Sequence, residues 1–166
     1  MLLILPTLLL FACKNDEFSM QKEPYTGTHF RIDGYYYLDY GNPATRIINF
    51  FYRDGTMLSV GAVYVSDLDS VENSYRNGEW YRIYSEHILR WGIFTVNGSV
   101  IKHEKWYHSS GGGWPAYVSE GVILNDTTYK INSIYRPLTG ERLADNAVYH
   151  FKQFSPKPDS TNTYIK

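Results

Sequence analysis

Arg46-Ile-Ile-Asn-Phe-Phe-Tyr-Arg-Asp-Gly-Thr-Met-Leu-Ser-Val-Gly-Ala-Val-Tyr-Val65 is the stretch that decides the fold. Two runs rich in β-branched and aromatic residues, Arg46–Arg53 and Thr56–Val65, flank Asp54-Gly55. A two-residue Asp-Gly connection signals a hairpin, because both central positions of such a turn need positive φ. An antiparallel pair is predicted here, and the pattern extends both ways. Upstream, His29–Tyr40 sets Phe30, Ile32, Gly34, Tyr36, Leu38 and Tyr40 against Arg31, Asp33, Tyr35, Tyr37 and Asp39, a period of two. Gly41-Asn42-Pro43 then marks a turn. Downstream, Ile88–Val96 and Ser99–Tyr107 flank Asn97-Gly98, and Tyr117–Leu124 and Thr128–Arg136 flank Asn125-Asp126. Ala147–Phe154 is a last strand, ended by Pro156 and Pro158.

Eight regularly spaced strands joined by tight turns predict an all-β protein. Nearest-neighbour hairpins favour an antiparallel up-and-down β-barrel over a sandwich, since closure removes exposed edges. Sixteen Tyr, eight Phe and four Trp agree with strand-rich structure. Two stretches break the rhythm. Tyr81, Tyr84 and Ile88 are spaced by three and four, which predicts one short helix near 79–88, although Gly78 could instead mark a hairpin. Ser109–Pro115 (SSGGGWP) is a loop; no lysine or helix follows its glycines, so it is not a phosphate cradle.

The N-terminus supplies an address. Leu2–Phe11 is apolar and ends in Ala12 and Cys13, the single cysteine. The run is too short to span a bilayer and has the form of a signal-peptide core. Leu10-Phe11-Ala12-Cys13 resembles the lipobox of bacterial lipoproteins, which implies removal of residues 1–12 and acylation of Cys13. Lys14-Asn15-Asp16-Glu17 resembles the surface-export signal of Bacteroidota lipoproteins, with a solvated tether as the plain alternative. The expected organisation is a leader over 1–12, a flexible tether over 13–27, a barrel over 28–156 and a tail over 157–166. The partner expected from this address is the outer membrane, reached through the lipid anchor on either its periplasmic or its outer face.

With these strands in place, the chain resembles the lipocalin-like lipoproteins of Bacteroidota. The resemblance rests on the lipobox, Gly34-Tyr35-Tyr36, Phe51-Tyr-Arg-Asp-Gly-Thr56, Trp91-Gly-Ile-Phe-Thr-Val-Asn-Gly98 and the ending Lys157–Lys166. It implies a small β-barrel, with a cavity or a packed centre, and no defined ligand.

Catalytic and metal chemistry is thin. Net charge is −1, from 16 basic and 17 acidic residues mixed along the chain, so the basic stripe of a nucleic-acid binder is lacking. The histidines are His29, His87, His103, His108 and His150. His103 and Glu104 are adjacent on a strand and point to opposite faces, so they cannot share a metal. Asp67-Leu-Asp69-Ser-Val-Glu72 lacks the glycine and spacing of a calcium loop and reads as a solvated turn. No nucleophile motif occurs, and carboxylate pairs such as Asp33 and Asp39 arise by chance at this composition. The reading is a protein without catalysis, cofactor or metal. Asp126-Thr-Thr128 and Asp159-Ser-Thr161 resemble the O-glycosylation sequence of exported Bacteroidota proteins.

The aromatics carry the functional expectation. Tyr35, Tyr37, Tyr52, Tyr64, Trp91, Trp106, Tyr117, Tyr135 and Tyr149 lie on strands that a barrel brings together. They are either the core and its girdle or the stacking faces of a site for a small apolar or aromatic ligand. The second functional expectation is an interaction module for an envelope protein partner, with Trp114 in its glycine-rich loop.

Overall fold

The computed structural model describes residues 14–41, 44–79 and 86–166. Among these, nine strands are present: β1 Gly34–Tyr40, β2 Thr45–Phe51, β3 Thr56–Tyr64, β4 Trp91–Asn97, β5 Val100–Trp106, β6 Ala116–Asn125, β7 Thr128–Tyr135, β8 Arg142–Ala144 and β9 Val148–Gln153. Each strand from β1 to β7 pairs antiparallel with the next, β7 pairs with β9, and β9 returns to β1. The result is a closed eight-stranded antiparallel barrel, with β8 added beside Ser133–Tyr135 of β7.

The three hairpin turns read from sequence all lie at one end of the barrel. The chain entering β1 crosses that end and plugs it. Phe30 is buried and stacks on Tyr36 with ring centres 4.7 Å apart. Its backbone N–H donates to the Tyr25 hydroxyl at 2.9 Å. Phe51, Phe94, Ile101 and Tyr129 complete this inner cluster.

A second apolar layer lies outside the wall. Helix α1, Leu68–Arg76, presents Leu68, Glu72 and Tyr75 at i, i+4 and i+7. Leu68 and Tyr75 pack on Tyr35, Ile48, Phe50, Leu58, Val60 and Trp91, with Tyr164 and Ile165 of the tail alongside. The Glu72 carboxylate accepts from the Tyr35 hydroxyl at 2.6 Å and from Lys152 Nζ at 2.5 Å. Asp67–Glu72, read from sequence as a solvated turn, is therefore the start of this helix; its few apolar residues gave little sign of it. Most of the helix expected near 79–88 falls on residues 80–85, outside the described residues, and Ile88–Arg90 forms a single 3-10 turn.

The segment after residue 13 also differs from a free tether. Asp16 makes a two-point ion pair with Arg136, at 2.8 and 2.9 Å. Phe18 stacks on Trp106 at 4.0 Å, and Trp106 Nε1 donates to the Asp16 carbonyl. Backbone N–H groups of Ser19 and Met20 donate to the buried Glu104 carboxylate at 3.0 and 2.8 Å. Tyr25 belongs to the barrel core. Polar residues without periodicity hid a strap held to the wall by side-chain hydrogen bonds. Cys13 lies outside the described residues.

Candidate functional site: the open half of the barrel

The end opposite the plug is hollow. A cavity of about 450 Å³ occupies it, lined by inward residues of β1, β2, β3, β5, β6, β7 and β9. Leu38, Ile47, Met57, Ile131, Ile134 and Ala147 supply an apolar wall, and exposed Tyr40 stands at the rim. A volume of this size lies within the range of small-molecule sites.

Its polar groups concentrate on β5 and the strands beside it. His103, Lys105 and Tyr107 line the cavity from β5, Ser59 from β3, Ser119 from β6 and Asn49 from β2. Lys105 Nζ donates to Ser59 Oγ at 3.2 Å and lies 4.6 Å from the centre of the Tyr107 ring. His103 is 3% exposed, and neither of its ring nitrogens has a hydrogen-bond partner among the described residues. The same holds for Asn49 Oδ1 and the Tyr129 hydroxyl. Buried polar atoms are nearly always satisfied, so the His103 ring nitrogens, which line the cavity, are groups that water or a bound molecule would satisfy.

Electrostatics follow from depth. Burial, reinforced by the Lys105 charge, pushes the His103 imidazole down to about 3, so the ring is neutral at ordinary pH. Burial, with Arg90 nearby, pulls the Lys105 ammonium down to about 8. Burial raises Tyr107 to about 12, against the Ser119 hydroxyl, which pulls it down. Among the described residues lining the cavity, Asp145 is the single carboxylate, and its Oδ1 accepts from the backbone N–H groups of Asn146 and Ala147.

The wall is thin beside Lys105. β3 and β4 share three residue pairs, Thr56–Leu58 with Trp91–Ile93, so β3 runs on past Leu58 with no strand on that side among the described residues. The 3-10 turn Ile88–Arg90 fills the gap, and Arg90 donates to the Val60 carbonyl. A second cavity of about 350 Å³ lies there, lined by His87, Arg90, Trp106 and His108, and it shares Ser59, Lys105 and Tyr107 with the first.

Of the nine aromatics singled out in the sequence, Tyr149 lines the main cavity, stacked on Tyr129 at 4.7 Å, and Trp106 lines the second. The other seven line neither. Tyr35 and Trp91 are in the outer layer under α1. Tyr37 lies under the Arg46 guanidinium and Tyr135 under that of Arg142. Tyr52 donates to the Pro158 carbonyl, Tyr117 to Glu141, and Tyr64 is exposed at the end of β3. The polar residues of β5 were visible in the alternation, but no local signal said which face of that strand lies inside. Trp114 is half-buried between His87 and His108, and its backbone N–H donates to Asn15 Oδ1.

His103 and Glu104 project to opposite sides of the wall. Among the described residues no three His, Cys, Asp or Glu side chains converge as metal ligands would. No family model, no curated protein and no solved structure matches this chain.

Proposed function

We propose that the protein is a non-catalytic, lipid-anchored, lipocalin-like β-barrel of the Bacteroidota type, working at the outer membrane, which binds a small apolar or aromatic ligand in its open half. One observation carries this reading: half of the barrel interior is filled by the aromatic cluster around Phe30 while the other half holds a cavity of about 450 Å³ with an apolar wall and the unmatched His103 ring nitrogens. A barrel needing only stability would fill both halves, since voids cost packing energy. Anchoring is supported by Leu10–Cys13 and by a strap that begins close behind that cysteine; among the described residues no helix is long and apolar enough to cross a membrane.

The test uses N-phenylnaphthylamine, a neutral apolar dye that fluoresces when shielded from water. The native protein should bind it saturably at one site. Ala147→Phe, which puts a ring into the cavity from the start of β9, should weaken binding by roughly tenfold or more with little change in thermal midpoint. Dye binding that does not saturate, or that survives Ala147→Phe unchanged, removes this reading.

A further inference from the structure

Resting on the ligand-binding reading, we propose that the ligand is an amphipathic monoanion: an apolar body in the open half of the barrel, with one carboxylate held on the Lys105 ammonium.

Lys105 differs from the other inward or covered cations of this molecule. Lys152 is bonded to Glu72, Arg136 to Asp16 and Lys102 to Glu120. Lys157 donates to two carbonyls, those of Ile32 and Phe51. Lys105 has the Ser59 hydroxyl and the face of Tyr107, both weak substitutes for water around an ammonium. Burial and the neighbouring Arg90 charge both act against its ionised form, and no carboxylate among the described residues offsets them. A ligand carboxylate at this point would supply the missing countercharge. It would make a charge-assisted hydrogen bond out of water, where such bonds are strongest.

The surrounding groups suit an anion. His103, neutral and unmatched on both ring nitrogens, has one N–H to donate, and the hydroxyls of Ser59, Ser119 and Tyr107 lie in the same lining. Arg90 lines the adjoining cavity, so a second cation acts on Lys105 from that side. Asp145, the one carboxylate among the described lining residues, is engaged by two backbone N–H groups, and its charge reaches the Tyr107 and Tyr149 hydroxyls but does not enter the balance at Lys105. A cationic ligand would meet the like charge of Lys105, and an inorganic anion would leave the apolar wall of Leu38, Ile47, Ile131 and Ile134 wet. An acid with a hydrocarbon or aromatic body meets both surfaces.

Decanoate and decanol share a body and differ at the headgroup, so competition against N-phenylnaphthylamine isolates the anion. On the native protein decanoate should displace the dye at roughly tenfold lower concentration than decanol, the size of one charge-assisted contact. Lys105→Met keeps the stem and removes the charge. It should abolish that preference, leave decanol displacement unchanged, and raise the thermal midpoint because a half-buried ammonium without a carboxylate partner has gone. Equal displacement by acid and alcohol on the native protein, where no variant has to fold, overturns the proposal while leaving the ligand-binding reading intact. So does a preference that persists in Lys105→Met. A dye that binds native protein and Ala147→Phe alike removes the ligand-binding reading and this proposal with it.

Discussion

His103 shows what the hollow half costs at the scale of one residue. Its imidazole is sealed inside the barrel without a hydrogen-bond partner among the described residues, and burial with the Lys105 charge holds it down to about 3. In the unfolded chain the same ring titrates near 6.5. Between those values the unfolded state carries a proton that the folded state refuses. This contribution to stability is therefore complete above about pH 6.5 and is lost as pH falls from there toward 3. The slope from one such group approaches about 1.4 kcal/mol per pH unit. Urea midpoints measured from about pH 7 to 4 should fall steeply for the native protein and less steeply for His103→Gln, with the difference confined to that interval. A His103 ring whose NMR signals titrate near 6.5 would show that the site is open to water and remove the argument. The residue itself was legible as one face of a strand, because neighbours on a strand alternate. Its environment was not, because the side on which a barrel closes depends on every other strand.

At the scale of elements, local turn chemistry carried the most information. Asp54-Gly55, Asn97-Gly98 and Asn125-Asp126 each fall at a hairpin turn, although of these residues only Gly55 and Gly98 have the positive φ expected of both central positions, and the strands between them were readable to within a few residues. What escaped was structure set by distant partners. β8 is three exposed residues long and exists because Ser133–Tyr135 needs a neighbour where β9 has moved away. The strap over 14–27 and helix α1 are polar in composition and are held by Arg136, Glu104, Lys152 and Tyr35, far off in sequence. They bury the outer faces of several strands. Tyr35, Tyr37 and Trp91 could therefore not be sorted into inside and outside by hydrophobicity alone. Gly121 is a further element-scale demand. It sits at a bulge in the β6–β7 ladder, and a Cβ there would overlap the Lys130 carbonyl oxygen and crowd the Ile131 backbone. Gly121→Ala should cost about 3 kcal/mol or more, as strained overpacking does, whereas Gly98→Ala, with positive φ but open space around it, should cost about 1–2 kcal/mol. Chemical denaturation of the two variants checks the ranking; equal losses would mean that the ladder yields at the bulge.

At the scale of the whole molecule, the barrel is two halves with different duties. The plugged half has three tight hairpins, the Phe30 plug and an aromatic centre. The open half has two seams in its wall. β3 loses β4 beyond Leu58, and β9 leaves β7 after the three pairs Thr128–Lys130 with Val148–His150. Elements with fewer buried apolar contacts and incomplete ladders open at lower free energy than the global unfolding reaction. Backbone amides around Tyr36, Phe50, Phe94 and Ile101 should therefore exchange hydrogen only through global unfolding, while those of Ala62–Tyr64 and Ile134–Tyr135 should exchange through local openings several kcal/mol cheaper. A ligand in the cavity bridges β2, β3, β5, β7 and β9 from inside, so saturating decanoate should slow exchange in the open half well beyond the global gain in stability. Native-state hydrogen exchange with and without decanoate measures both. Uniform protection across the two halves, or a uniform change on adding the acid, would mean that the barrel behaves as one rigid unit. The packed end and the hollow end would then differ in shape but not in mechanics, and entry of a ligand would have to proceed through the rim at Tyr40 without loosening of either seam.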